Sequence, residues 1–230
     1  MFDRSVHGRV NILNGIFRDF MEQAASIRLR EPLAETLGAF TVPDAVLEYR
    51  YTDVVKLAGH SCPTVTGAWL CCQEALARLY PDATPVRGEI LITVYGEPDE
   101  GVYGVMSQVF GFITGAATVT GFKGLGPRFR RKDMLGFSSE KPDPKALCFR
   151  FSRVDNGRSV MVKFYPWLIP LPQDAAVKTA ELMEKVVSSK ADVREREEFQ
   201  ELWMEKIKLM LTERKEIESW LKVEDIQEKT

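Results

Sequence analysis

Apolar residues recur along the chain with changing periods, and the periods predict its elements. Leu13, Ile16, Phe17, Phe20, Ala24 and Ile27 stand three or four apart for most of the run, which predicts an amphipathic helix over residues 9–28. Pro32 suits the first turn of a short helical piece that Gly38 closes. In residues 45–51, Leu47, Tyr49 and Tyr51 alternate with Glu48 and Arg50, the period of a half-buried strand. Thr52 with Asp53 can cap a two-turn helix that stops at Gly59. Pro63 fits the first position of a long helix running to about Tyr80, with Val65, Trp69, Cys72, Leu76 and Leu79 on one face.

Arg87 to Tyr95 reads as a strand, with Ile90, Ile92 and Val94 to one side. Residues 102–119 are rich in glycine and β-branched residues but too long for one strand. They are expected to form a buried helix on which Gly111 and Gly115 let another backbone come close. Residues 120–132 have no regular period and read as a loop, and residues 133–165 read as β. Within that stretch Leu147, Phe149 and Phe151, the turn Asp155-Asn156-Gly157, and Val160, Val162 and Phe164 predict a hairpin. Helices follow near 174–188 and from Asp192 to about Leu211, the second with a stripe of Phe199, Trp203, Ile207 and Met210, and then a charged tail. This order argues for an α+β fold, a mixed or antiparallel sheet packed with helices, with a helical C-terminal arm. Residues 1–172 are expected to form the core domain, and residues 173–230 an arm that packs on it or on the mate in a homodimer.

Composition changes this picture little. The 230 residues are 45% hydrophobic with a formal charge of −2, which gives no basis for binding nucleic acid or an anionic membrane across the whole surface. Neither a signal-peptide pattern nor a bilayer-length apolar run is present, so a cytoplasmic location is expected. The four cysteines, Cys62, Cys71, Cys72 and Cys148, are then reduced thiols, and without a CxxC pair they cannot build a zinc ribbon.

Candidate chemistry begins at Gly59-His60-Ser61-Cys62-Pro63. Cys62 caps the long helix and His60 stands two residues before it, so the turn offers a nitrogen and a sulfur to zinc or another divalent transition metal. Cys71 lies nine residues further along the same helix. At about 1.5 Å of rise per residue it is roughly 13 Å away, too far to share an ion whose bonds are about 2 Å long. Cys71 and Cys72 are therefore core residues. Further ligands would have to come from His7, from Glu97, Asp99 or Glu100, or from a second copy of the chain. The alternatives are a structural cap with a packed histidine, or a metal-free thiol protein that uses Cys62.

These residues, followed by Gly67, resemble the His-Gly-His-x-Cys-Pro-Gly signature of the formylmethanofuran dehydrogenase E family. Thr114-Gly115-Ala116 with the basic glycine-bearing segment after it is similar to that family's Thr-Gly-Cys-Thr stretch and lysine-containing loop. Glu198-Phe199-Gln200-Glu201-Leu202-Trp203, within residues 181–211, is similar to its C-terminal helical region. The resemblance implies an α+β domain, often dimeric, with a metal near the His-x-Cys-Pro turn, and it does not imply the dehydrogenase reaction. Ala58, Thr64 and Ala116 stand where the family has histidine, glycine and cysteine, and the C-terminal ribbon is missing, so only His60 and Cys62 carry over as ligands.

A second candidate site is the basic stretch itself. Lys123, Arg128, Arg130, Arg131 and Lys132 fall within ten residues that also hold Gly124 and Gly126, and such loops bring backbone amides and guanidinium forks to phosphates or carboxylates. The spacing matches neither the dinucleotide fingerprint nor a P-loop. A solvated basic loop is the alternative. The expected function is a metal-binding protein in which His60 and Cys62 hold the ion beside a pocket for a small anion or cofactor. That pocket is assigned to Lys123, Gly124 and Arg128 with Asp99 and Glu100. A non-catalytic, cofactor-holding module for a partner oxidoreductase is the alternative.

Overall fold

The computed structural model describes residues 15–213 and 216–226. His7 and the first part of the helix expected over 9–28 lie outside them. Among the described residues that helix is reduced to one turn, α1 (Asp19–Glu22). The chain then extends as β1 (Ile27–Arg30), with Ile27 and Leu29 buried and Arg28 and Arg30 exposed. Ile27 therefore obeys a two-residue alternation with Leu29, which wins over its helical spacing from Ala24 because β2 (Val46–Tyr49) pairs with it antiparallel. Between them Pro32 opens α2 (Pro32–Thr36), with the Glu31 carboxylate accepting from the Leu33 N–H at 3.1 Å.

Two helices meet at the sequence's candidate turn. α3 (Tyr51–Ala58) ends at Gly59 in the left-handed conformation, and α4 (Pro63–Leu79) begins after Cys62 as its cap. β3 (Ile90–Tyr95) and α5 (Tyr103–Thr114) follow, so the buried helix expected over 102–119 stops at Gly115. The expected loop beyond it contains a small antiparallel ladder, β4 (Gly124–Leu125) with β5 (Phe129–Arg130). Next come β6 (Leu135–Ser138), β7 (Leu147–Arg153) and β8 (Ser159–Phe164), the last two forming the predicted hairpin. α6 (Gln173–Val187) and α7 (Val193–Thr212) make the helical arm, α7 capped by Asp192 through a 2.8 Å bond from the Glu195 N–H.

Residues expected in a charged tail behave differently. After α8 (Ile217–Trp220), Leu221–Ile226 form β9 and pair antiparallel with β8. Val223 lies opposite Val162, and buried Leu221 lies opposite Phe164, so two apolar inward positions outweigh the charges between them.

The result is an α+β fold around a five-stranded mixed sheet in the order β6-β3-β7-β8-β9, antiparallel except for the β3–β6 pair. α4 and α5 cover one face. There the Phe110 ring stands edge-on to Phe149 and Phe151, with centroids 4.9 and 5.1 Å away. Each such aromatic pair adds about 0.5–1.5 kcal/mol beyond its burial. Gly67 of α4 admits Phe164 of β8, since a Cβ there would fall 2.4 Å from that ring. On the opposite face the register aligns Thr93, Arg150, Met161 and Glu224, all at least partly exposed. Burial mainly on one face explains the alternation of the hairpin, with Cys148 and Ser159 of the other face buried as well. No helix among the described residues is long and apolar enough to cross a membrane.

Candidate functional site

The Gly59–Pro63 turn is held from three sides. The buried Tyr51 hydroxyl sits 2.7 Å from both the Ser61 and the Thr66 hydroxyls, and the Thr66 hydroxyl donates to the Cys62 carbonyl at 2.9 Å. Trp203 of α7 donates its indole N–H to the Ser61 carbonyl at 2.9 Å, tying the arm to the turn. The half-buried Cys62 Sγ accepts from the Val65 N–H at 3.4 Å, as a cap should. His60 is exposed, with Nδ1 2.9 Å from the Ala58 carbonyl oxygen. As a donor set for zinc, the turn supplies the other imidazole nitrogen and one sulfur. Among the described residues no three His, Cys, Asp or Glu side chains group to hold a metal ion. The donors present are thus two short of a closed tetrahedral site. Cys71 and Cys72 are fully buried in α4, and burial pushes both thiols well up.

The second candidate site becomes a different object in three dimensions. Arg131, just after β5, is buried and reaches back to Glu31, its Nη2 2.6 Å from that carboxylate. Arg87, in the lead-in to β3, meets the other oxygen of Glu31 at 2.8 Å. Arg87 Nε and Nη2 donate to the carbonyls of Ile113 and Phe112, both at 3.0 Å. α5 has no basic residue in its last turn, and Arg87 supplies that charge from outside the helix, where the macrodipole favours it. One carboxylate thus clamps two arginines and gathers β1, the β3 lead-in, the end of α5 and the β4–β5 segment.

Glycines make the clamp possible. Gly88 has φ +87°, and a Cβ there would overlap Arg131 Nη1 at 1.4 Å. At Gly115 a Cβ would come within 2.8 Å of the same nitrogen. The Thr114-Gly115-Ala116 stretch therefore lies against the arginine network. Arg131 Nη1 is buried and has no hydrogen-bond partner. Burial and the neighbouring Arg87 charge pull the Arg131 guanidinium below its ordinary value, and Glu31 opposes them.

Beside this network lies a cavity of about 260 Å³ lined by Arg30, Arg87, Arg128 and Arg131, with Glu35, Asp44 and Glu89 also on its walls. Arg128 and Arg30 are exposed; Arg128 rests over its neighbour Phe129, and neither makes an ion pair among the described residues. A wider depression of about 600 Å³ lies where α4 meets β9, but its charges alternate in sign and its Arg78 is already paired with Asp225.

Of the residues expected to bind an anion, the structure places Arg128 in the cavity. Lys123 and Gly124 serve the ladder that carries it. The Lys123 carbonyl accepts from the N–H groups of Arg131 and Lys132, and Gly124 pairs with Arg130. Asp99 and Glu100 are exposed in the turn before α5, whereas Arg87 binds the carbonyls at its far end. A helix of 12 residues separates them, about 18 Å at 1.5 Å per residue. No motif in the sequence marks Arg30, Glu31 or Arg87. The alternation of Ile27, Arg28, Leu29 and Arg30 was the available signal, since it marks a strand that delivers Arg30 and Glu31 to a sheet end.

Fold and site together define an α+β protein with a buried arginine–carboxylate network under a charged cavity. No protein-family model matches the chain, and no curated protein matches it.

Proposed function

We propose that this protein binds a small anionic molecule in the cavity above the Glu31 clamp. One observation carries the reading: four arginines line about 260 Å³ beside three carboxylates, and two of them, Arg30 and Arg128, make no ion pair among the described residues. Arg87 and Arg131 are fixed by protein partners, while Arg30 and Arg128 present guanidinium forks suited to an oxyanion. Calorimetry with inorganic phosphate, pyrophosphate and a hexose phosphate tests it, using the wild type beside Arg30→Ala and Arg128→Ala. Both side chains are exposed and unpaired, so the variants should fold. A charge-assisted hydrogen bond contributes about 1.5–3 kcal/mol, so each variant should weaken binding roughly tenfold to a hundredfold. No binding of any of the three anions, or binding that neither variant changes, would sink the reading.

The metal centre implied by the resemblance is a second proposal, and its support is the anchored turn that carries both His60 and Cys62. His7 or a second copy of the chain in a homodimer would supply the missing donors. Elemental analysis beside His60→Ala and Cys62→Ala tests it: about one zinc per chain, lost in both folded variants, would support it, and no bound metal would end it. A role as a cofactor-holding module for an oxidoreductase is compatible with either site. Four free thiols suit a reducing compartment, which supports a cytoplasmic location.

A further inference from the structure

Resting on the anion-binding reading, we infer that the ligand is not a bare oxyanion but an anion that also carries hydrogen-bond donors, hydroxyl or ammonium groups, on the same small frame. The walls of the cavity point to it. Glu35, Asp44 and Glu89 line the space together with the arginines; no side-chain hydrogen bond or ion pair of theirs is found among the described residues, and only Glu89 lies near further charge, that of Arg131 and Arg153. Ionised carboxylates only accept hydrogen bonds. A phosphate that meets the arginines alone offers these three acceptors no hydrogen to accept. With Glu31 included, four carboxylates match the four arginines, so the cavity as a whole carries no net charge to draw in a bare anion.

Both halves of the lining are satisfied by a ligand whose oxyanion meets Arg30 and Arg128 while its donors meet the acids. Size narrows the class further. A volume of about 260 Å³ is just below the roughly 300–1,000 Å³ of typical ligand pockets, which suits a small frame such as a phosphorylated monosaccharide or amino alcohol.

Titration calorimetry on the full chain with inorganic phosphate, hexose 6-phosphate and phosphoethanolamine tests the inference. At least one donor-bearing phosphate should bind roughly ten times more tightly than inorganic phosphate. Preference for the hexose phosphate would identify hydroxyl donors, and preference for phosphoethanolamine an ammonium. Glu89→Gln and Glu35→Gln should weaken the preferred ligand and strengthen inorganic phosphate, bringing their affinity ratio towards one. Arg128→Ala should instead weaken all three ligands alike. Equal affinity for all three in the wild type, or a ratio that both glutamine variants leave unchanged, would overturn the inference while anion binding itself stands. No binding by any of the three would overturn both.

Discussion

Glu31→Gln is the most informative single change, because one carboxylate neutralises two guanidinium groups. The Glu31 side chain is 6% exposed, Arg131 3% and Arg87 23%. The substitution keeps the shape but replaces one acceptor oxygen with an amide that donates, set against arginine donors. Arg131 would then sit buried with a second orphaned nitrogen beside Nη1, close to the like charge of Arg87. Removing one partner of a buried ion pair costs about 3–5 kcal/mol, mostly as the penalty of the charge left behind. A domain of this size loses about 2–4 °C of melting temperature per kcal/mol, so the fall should be roughly 6–20 °C. Urea denaturation should show a lower midpoint at unchanged slope, which marks a loss of stability without a change in the surface exposed. In the double variant Glu31→Gln/Arg131→Met no buried charge is left unmatched at Arg131, and most of the loss should return. A single-variant loss below about 1 kcal/mol would refute the clamp.

Gly67→Ala should destabilise despite alanine's preference for helices of about 1 kcal/mol, because its Cβ would stand 2.4 Å from the Phe164 ring and overpacking costs about 1–3 kcal/mol. A raised urea midpoint would contradict that packing. Burial pushes the Tyr51 phenol up to about 12, against the pull of its Ser61 and Thr66 hydrogen bonds. A phenol in the unfolded chain titrates near 10, so this stabilisation is complete below about pH 10 and disappears as pH rises through about 12, a change of about 2–3 kcal/mol. The alkaline fall in stability should therefore be shallower in Tyr51→Phe, which also loses about 1–2 kcal/mol at neutral pH, and parallel pH profiles would count against the assignment. His60→Ala alters an exposed side chain and should change the urea midpoint by the equivalent of about 0.5 kcal/mol or less, whereas a large loss would show that the imidazole holds the turn.

Local rules made much of the fold legible. Cys62 before Pro63, Asp192 before its helix and the Asp155-Asn156-Gly157 turn each specify an end within a few residues, and the structure has each of them. Two elements depended on distant partners. Ile27 satisfies helix and strand periods equally until β2 is present to pair with it. Residues 221–226 look like a solvated tail until β8 offers Val162 and Phe164 across from Val223 and Leu221. The candidate turn was placed correctly on its helix cap. The arginine clamp was not legible, because Glu31 and Arg131 are 100 positions apart and nothing in the basic stretch that holds Arg131 points back to Glu31.

The clamp also divides labour among the arginines in a way that bears on binding. Holding a long cationic side chain in one rotamer costs up to about 2 kcal/mol of conformational entropy, normally drawn from the binding energy. Arg87 and Arg131 meet that cost on folding, since Glu31, the α5 carbonyls and the Gly88 backbone hold them in place. Under the proposed anion binding, only Arg30 and Arg128 would remain to be ordered by a ligand. A buried ion network is weak evidence of stability, because well-packed apolar residues often do as well. The four elements gathered at Glu31 could have been joined by leucines. What apolar residues could not provide is a rigid, charged floor under an open cavity. The retained cost of burying Arg131 is thus better explained by the cavity beside it than by the fold beneath it.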